Sequence, residues 1–369
     1  MSATNAMSAI SAIKRTLYPI YRNYFSRAYL YEGTLKSGNG SVKCLFVDND
    51  KFYLSVLHAL FAESPTLVRT FRCWIPSLKW LIKSPGLDAD ICFANVPLRY
   101  DPLFRDSATY IMQTRVRKTA AIGASLESNK RYRDKRKRVV KKIKKYGLTS
   151  KISRYQDDFD YFYHRMSLPL VKKFGDASIV DTYEEMRRIF EKGVLILVLY
   201  NEKRISAALC YENNGTLVYY RSGLLDGEQT YLDMGAMSAT YFFLFEYACQ
   251  QGYQKIDFMR CLPFLNDGVY MHKQEWGATT EPFEGATSWV YLFNRGSSET
   301  LARVVKNIPL IVHTNNGLEG VVTVPDEHDL TPELEQKLSS QYSAPGLYGL
   351  QVLRSNGTIE QIILNSHNG

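Results

Sequence analysis

A strand, a loop, an almost wholly apolar helix and a second strand follow one another between Leu217 and Gly277. No other stretch constrains the fold as strongly. The first strand, Leu217 to Ser222, is apolar and aromatic, and Gly223 with the acidic turn Asp226-Gly227 closes it. A loop through Met234-Gly235 enters the helix at about Ala236. Gly252 stops that helix after Cys249, and a strand from Lys255 to Met259 begins three residues later. So short an exit calls for a right-handed crossover between parallel strands. The loop then lies at the carboxyl edge of the sheet, where the backbone N–H groups of Gly235 and Ala236 can hold an anion. A polar turn carrying Asp267, Lys273 and Trp276 follows, and the candidate active site falls here.

The rest of the chain alternates in a way that fits this unit. Strands are expected at Val42 to Val47, Leu67 to Ile75, Asp90 to Val96 and Thr109 to Thr114. Helices are expected at Asp48 to Ala62, with Asp48 or Asn49 as cap, and at Pro76 to Lys83. Residues 1 to about 40 read as an amphipathic beginning and a flexible Lys36 to Gly40 link. After a strand at Leu148 to Arg154, helices at Asp157 to Lys173 and Tyr183 to Glu191 precede an antiparallel meander. Its strands are Leu195 to Tyr200, Ile205 to Glu212 and Leu217 to Ser222, and Trp289 to Phe293 ends the unit. The expected fold class is therefore α/β with mixed sheets. Divisions are expected at 1–120, 121–296 and 297–369, the last a small α/β addition with no catalytic signature.

Charge is concentrated in one place. Residues 129–145 hold eleven Lys or Arg and one acid, a net of +10 against +9 for the whole chain, so the other 352 residues sum to −1. The run starts at a candidate cap, Ser128, and stops at Gly147. Val139, Ile143 and Tyr146 form one narrow apolar stripe, so the remainder of the helix is expected to be wet. Ten net charges repel one another without a counter-ion, which points to a polyanionic partner such as nucleic acid or anionic lipid. The six Cys are scattered singly, with neither metal-ligand spacing nor a disulfide framework. The amino end lacks a signal-like apolar core, and no run of about 18 apolar residues occurs. A cytoplasmic protein without a transmembrane segment or metal is the expectation.

From Asn129 to Phe293 the chain resembles the second half of the FemAB-type acyltransferases, tandem members of the GCN5-related N-acetyltransferase (GNAT) superfamily. The features that carry the resemblance are the basic helix ending at Gly147-Leu148, the hairpin Leu195 to Glu212 and Tyr219-Tyr220-Arg221-Ser222-Gly223. Glu246-Tyr247-Ala248, Lys255-Ile256-Asp257-Phe258, and Asp267-Gly268 to Lys273 with Trp276-Gly277 complete it. The amino-terminal 110 residues would match the more divergent first half of the tandem. The loop Tyr231 to Ala236 departs from the acetyl-CoA motif Q/R-x-x-G-x-G/A, and a proline frequent there is missing.

The resemblance implies an N-acyltransferase of cell-envelope, peptidoglycan or polysaccharide chemistry, without a tightly bound cofactor. Its co-substrate would be aminoacyl-tRNA, acyl-CoA or an acyl carrier protein, and its acceptor an amine, for instance on a nucleotide-linked precursor. Lys273 would stand beside the reacting ester and stabilise the oxyanion. Asp257 and Asp267 are candidates to orient groups or take the amine proton, although Asp267-Gly268 is also a turn signature. His272 is adjacent but has no evident partner. Tyr220, Arg221, Gly223, Gly235, Ala236 and Trp276 are the substrate-side candidates. Arg131, Arg133, Arg136, Lys137 and Lys141 are the candidates for contact with tRNA or anionic membrane. The competing expectation is a non-catalytic adaptor that binds nucleic acid or membrane through residues 129–145.

Overall fold

The computed structural model describes residues 24–38, 40–173, 181–326 and 328–364. The amphipathic start at 1–23 and the loop through Gly175 lie outside them. The central sheet has seven strands and is mixed. From edge to edge it runs Thr279–Pro282, Val116–Ala121, Lys255–Cys261, Thr216–Leu224, Lys203–Asn213, Gly193–Tyr200 and Thr149–Ser153. The expected meander is present. Its two tight turns place Asn201 and Glu202, then Asn214 and Gly215, at positive φ, the geometry that matches strand twist in two-residue hairpins.

The crossover forms as expected. Helix Ala236–Gln250 carries the chain from Thr216–Leu224 to Lys255–Cys261, and the two strands run parallel. They pair only at Thr216↔Lys255, Leu217↔Ile256 and Val218↔Asp257. Just past that point both are irregular. The first slips its register against Lys203–Asn213 between Tyr219 and Arg221, and the second against Val116–Ala121 between Asp257 and Arg260. Met259 takes φ 63 there, a left-handed conformation that bulges use and that β-structure otherwise avoids. The carboxyl halves of the two strands are therefore not bonded to each other, which leaves a crevice in the hydrogen-bonded sheet that side chains such as Tyr219 and Phe258 line.

The crossover helix is apolar all round because it is covered on both sides. Tyr241, Leu244 and Phe245 share one core with Tyr219, Ile256, Phe258 and Trp276 from the sheet side, and with Tyr132 and Val139 of helix Lys130–Tyr146. That basic helix is capped by Asn129, whose side chain accepts from Tyr132 N, and not by Ser128. Gly147 closes it in the left-handed conformation (φ 60).

The first sheet has six strands, in the order Thr66–Trp74, Phe25–Thr34, Ser41–Val47, Ile91–Pro97, Ser288–Asn294 and Tyr110–Met112. Two expectations change here. Phe25–Thr34 is a strand where an amphipathic beginning and link were expected. Ser288–Asn294, expected to end the second unit, pairs with Ile91–Pro97 and Tyr110–Met112 in the first sheet. Conversely, the unanticipated strand Val116–Ala121 pairs with Lys255–Cys261 in the central sheet. The chain thus crosses twice between sheets, and divisions at 120 and 296 do not follow the strand pairing.

The carboxyl-terminal sheet, Leu310–Thr314, Gly317–Thr323, Leu347–Leu353 and Ile359–Ile363, is more than an addition. Ile311, Leu318, Val322 and Leu350 share a core with Val116, Cys261, Leu265 and Tyr270. Leu265 N donates to Pro309 O at 2.8 Å, and Ile311 N to Pro263 O at 2.8 Å. The segment that follows the second crossover strand is therefore built onto this sheet. Five of the six cysteines are buried and Cys249 is exposed; all six are free thiols. Among the described residues no helix is long and apolar enough to cross a membrane.

Candidate active site

The expected turn at Asp267 to Trp276 is a helix, Gly268–Glu275, with Asp267 as its cap accepting from Tyr270 N at 2.8 Å. A capping carboxylate is stabilising at this end because it meets otherwise orphaned N–H groups. The helix brings Lys273 to the crevice. The lysine is 4% exposed, and its Nζ donates to the carbonyl of Arg260, 3.1 Å away, just past the bulge. No carboxylate lies within ion-pair distance of it among the described residues. Burial pushes the Lys273 pKa down, while Cys261, Asp267 and Asp257 pull it back up and Arg221 opposes them. Burial likewise raises the Asp267 carboxyl above its ordinary value, against the Tyr270 N–H and the Lys273 charge. An ammonium and a carboxyl with shifted affinities thus share one helix at the crevice, a pattern suited to moving a proton and holding an anion.

Asp257 plays a different part. Its Oδ2 accepts from Arg117 at 2.7 Å and its Oδ1 from Met259 N at 2.8 Å. Both oxygens are engaged in fixing the bulge, so Asp257 holds the crevice open and is not placed as a proton acceptor. Arg221 is ion-paired with Asp181, and Tyr220 lies edge-on to Tyr211 with ring centroids 6.2 Å apart. Both are only partly buried and remain at the first strand's divergence.

Three expected substrate contacts turn out to be packing. A Cβ on Gly223 would fall 2.6 Å from Met166 Cβ, so the glycine lets the helical turn Phe162–Ser167 close on the strand. Trp276 is fully buried, stacked at 5.8 Å on Tyr241 and 5.5 Å on Phe245. Ala236 is fully buried as well. Gly235 takes φ 87 beneath Lys142, whose Cδ would lie 2.8 Å from an added Cβ and whose Nζ donates to Asp233 O at 2.8 Å. The start of the crossover helix is therefore covered by a lysine side chain instead of presenting bare amides.

The basic helix is less wet than its sequence suggests. Arg131 donates to the carbonyls of Ser340 and Ser343, and Arg133 to those of Glu127 and Ser128. Arg136 pairs with Glu246 at 3.3 Å, and Lys135 and Arg138 both pair with Glu275. Arg131, Arg133 and Arg136 are thus struts. Lys137 and Lys141 remain exposed, with no ion pair or hydrogen bond among the described residues, and so do Lys130 and Lys144. At a rotation of about 100° per residue these four fall on one face, spread over about 21 Å.

Sequence reasoning missed two cations on the strand Val116–Ala121 and its approach. Lys118 is fully buried, donating to Thr280 Oγ1 at 2.8 Å and to Ala278 O at 3.1 Å, with Nζ 4.0 Å from the Tyr270 ring centroid. Burial pushes its pKa down to about 7. Arg115 lies 6.0 Å over the Phe52 ring of the first unit, and its charge acts on Asp267. The signal for Lys118 was the alternation in VRKTAA, which places a lysine on the inward face with Val116 and Ala120; Arg115 precedes that run and carried no such signal.

The family model for the acetyltransferase (GNAT) domain matches residues 128–274. That stretch, less than half of the chain, spans the basic helix, the meander, the crossover and Lys273, and over it the chain is similar to the GNAT domain. Solved structures similar to the chain include a C-terminal domain assigned to a lysylphosphatidylglycerol synthetase in Agrobacterium fabrum. It is 11% identical, with TM-score 0.37 and coverage of 72% of this chain and 84% of that one. The L-PGS of Bacillus licheniformis is 11% identical, with TM-score 0.35 and coverage of 76% and 89%. FemX is 13% identical, with TM-score 0.37 and coverage of 72% and 84%. None reaches a TM-score of 0.5, and they define neither donor nor acceptor. No curated protein matches the chain.

Proposed function

We propose that the protein is an N-acyltransferase acting on an amine of a cell-envelope precursor. The amine nitrogen attacks the carbonyl carbon of an activated acyl or aminoacyl ester or thioester. A C–N bond forms, the C–O or C–S bond breaks, and the amine proton passes to Asp267 and from it to the leaving oxygen or sulfur. Lys273 stabilises the oxyanion of the intermediate. The observation that supports this reading is the buried Lys273 ammonium, held by one main-chain carbonyl at the point where two parallel strands part. An interior charge without a carboxylate partner costs stability, and a binding adaptor would have no use for one at this position.

The donor is phosphate-bearing, as acyl-CoA and aminoacyl-tRNA both are. Lys142 over Gly235 and the exposed row Lys130, Lys137, Lys141 and Lys144 are the groups that would meet its phosphates. Native mass spectrometry against acyl-CoAs and aminoacyl-tRNAs tests this. Binding of either class, weakened when Lys137, Lys141 and Lys144 are changed to Ser, is the expected result. Binding of neither class would remove the transferase reading.

A further inference from the structure

Side chains alternate along a strand, and the strand Val116–Ala121 turns Val116, Lys118 and Ala120 to one side. Arg117 faces the other way, with Arg115 two residues before it. Arg260 stands opposite Arg117 in the antiparallel register of Lys255–Cys261, so it joins the same face, diagonal to Arg115. Two acids of this face are already matched. Asp257 accepts from Arg117 at 2.7 Å, and Glu281 from Lys255 at 3.0 Å. Glu284, whose charge also reaches Arg117, is exposed. Among the described residues neither Arg115 nor Arg260 has a carboxylate within ion-pair distance.

The two guanidinium groups are held in place. Arg260 lies 5.0 Å over the Phe283 ring. Arg115 lies 6.0 Å over the Phe52 ring and donates to the Thr114 carbonyl at 2.8 Å. A guanidinium laid on a ring keeps its N–H edge for a planar or tetrahedral anion. Burial and then the charge of Arg260 lower the Arg115 pKa, while Asp267, Cys261 and Asp48 oppose them. Both of those acids are committed to helix starts. Asp267 accepts from Tyr270 N, and Asp48 from Asp50 N, Tyr53 N and the Asn95 amide. Burial raises both carboxyls as well, which reduces the charge they offer. Two like charges on one face, one of them partly buried, repel until an anion joins them. The pair borders the acyl-transfer crevice, since Lys273 donates to the Arg260 carbonyl.

We propose that Arg115 and Arg260 bind an oxyanion, a phosphate or carboxylate, on the acceptor, so that the acceptor class is an amine that also carries an anionic group. This rests on the acyl-transfer reading for which substrate the anion belongs to. Beside Lys273 and the pair an ammonium loses its proton readily, and the anion supplies the attraction that the amine lacks. The test is titration of the full chain with O-phosphoethanolamine, β-alanine and ethanolamine, followed by ligand-observed NMR, with CoA titrated alongside. The anionic amines should bind and ethanolamine should not. Arg260→Gln and Arg115→Gln should each weaken that binding about tenfold, with circular dichroism unchanged. Arg260 is exposed, so its replacement spares the core, and Arg260→Lys should keep part of the affinity. The proposal is overturned if neither anionic amine binds, if ethanolamine binds equally, or if the double Gln variant binds like the parent. It is equally overturned if the double variant loses CoA instead, which would give the pair to the donor. Anionic amines that bind through the pair while no donor yields an amide would remove the transfer reading and retain the oxyanion site. Amide formation from O-phosphoethanolamine with a parental KM in the double variant would do the reverse.

Discussion

Two helices begin at the carboxyl edge of the same pair of parallel strands, and they begin differently. Ala236–Gln250 starts at a left-handed glycine covered by Lys142, and its flank is buried against sheet and basic helix. Gly268–Glu275 starts at a carboxylate cap and carries Lys273 into the crevice. The crossover helix has the more recognisable pattern, a long apolar run with a glycine at its entrance. The shorter helix has the sequence of a polar turn, yet it holds the groups with chemical reach. A helix start is a site only if its surroundings leave it open, and those surroundings come from residues distant in the chain.

Asp267→Asn breaks the comparison most sharply. Asparagine keeps the cap, so the melting temperature should move little, while loss of the proton acceptor should slow transfer about a hundredfold or more. Equal activity would return Asp267 to a purely capping role.

Acidification should act on the half-buried imidazole of His272, which lies on this helix. The His272 pKa is pushed down to about 4, chiefly by burial and then by Lys135, and burial does the same to His313. Between those values and 6.5 the unfolded chain binds more protons, so the stability present above 6.5 is lost as pH falls toward 4. Each histidine should cost about 2 kcal/mol between pH 7 and 5, read from urea midpoints. The raised carboxyls of Asp48 and Asp267 act in the opposite sense at the acid end, because their folded forms hold protons longer. His272→Gln should flatten the slope.

Arg131→Ala tests whether the carboxyl-terminal sheet braces the Lys273 helix. Arg131 and Gln274 both grip the Ser343 carbonyl, so the variant should lose about 1–3 kcal/mol. Hydrogen exchange should quicken in residues 268–275 and 332–342 together. The smallest effect belongs to Gly235→Ala, about 1 kcal/mol for a side chain at positive φ, with activity per folded molecule retained. A large loss of activity there would mean that the backbone at the crossover helix start, and not Lys142 above it alone, meets the donor.

Local pattern was enough to locate the crossover, the meander and the basic helix, because each depends on periodicity and turn residues in adjacent positions. Lys273 was expected in a polar turn, and the structure has it buried on a helix. Pairings across long separations were not legible: Val116–Ala121 and Ser288–Asn294 exchange sheets through contacts made more than 100 residues away. The same holds for the struts. Arg131 resembles its neighbour Lys130 in every local respect, and only the distant Ser343 distinguishes them. Trp276 was misjudged for the opposite reason, since a Trp-Gly after a polar turn suggests exposure until Tyr241 and Phe245 close over it.

The most direct measurement is single-turnover transfer by Lys273→Met beside the parent, with donor identified by binding and product amide read by mass spectrometry. Removing a buried ammonium that lacks a carboxylate should leave stability equal or higher. Loss of oxyanion stabilisation should cut the rate about a hundred- to a thousandfold. In the parent, activity should decline as pH rises through a Lys273 pKa that lies below the ordinary lysine value. A folded Lys273→Met protein that transfers at the parental rate would contradict the account.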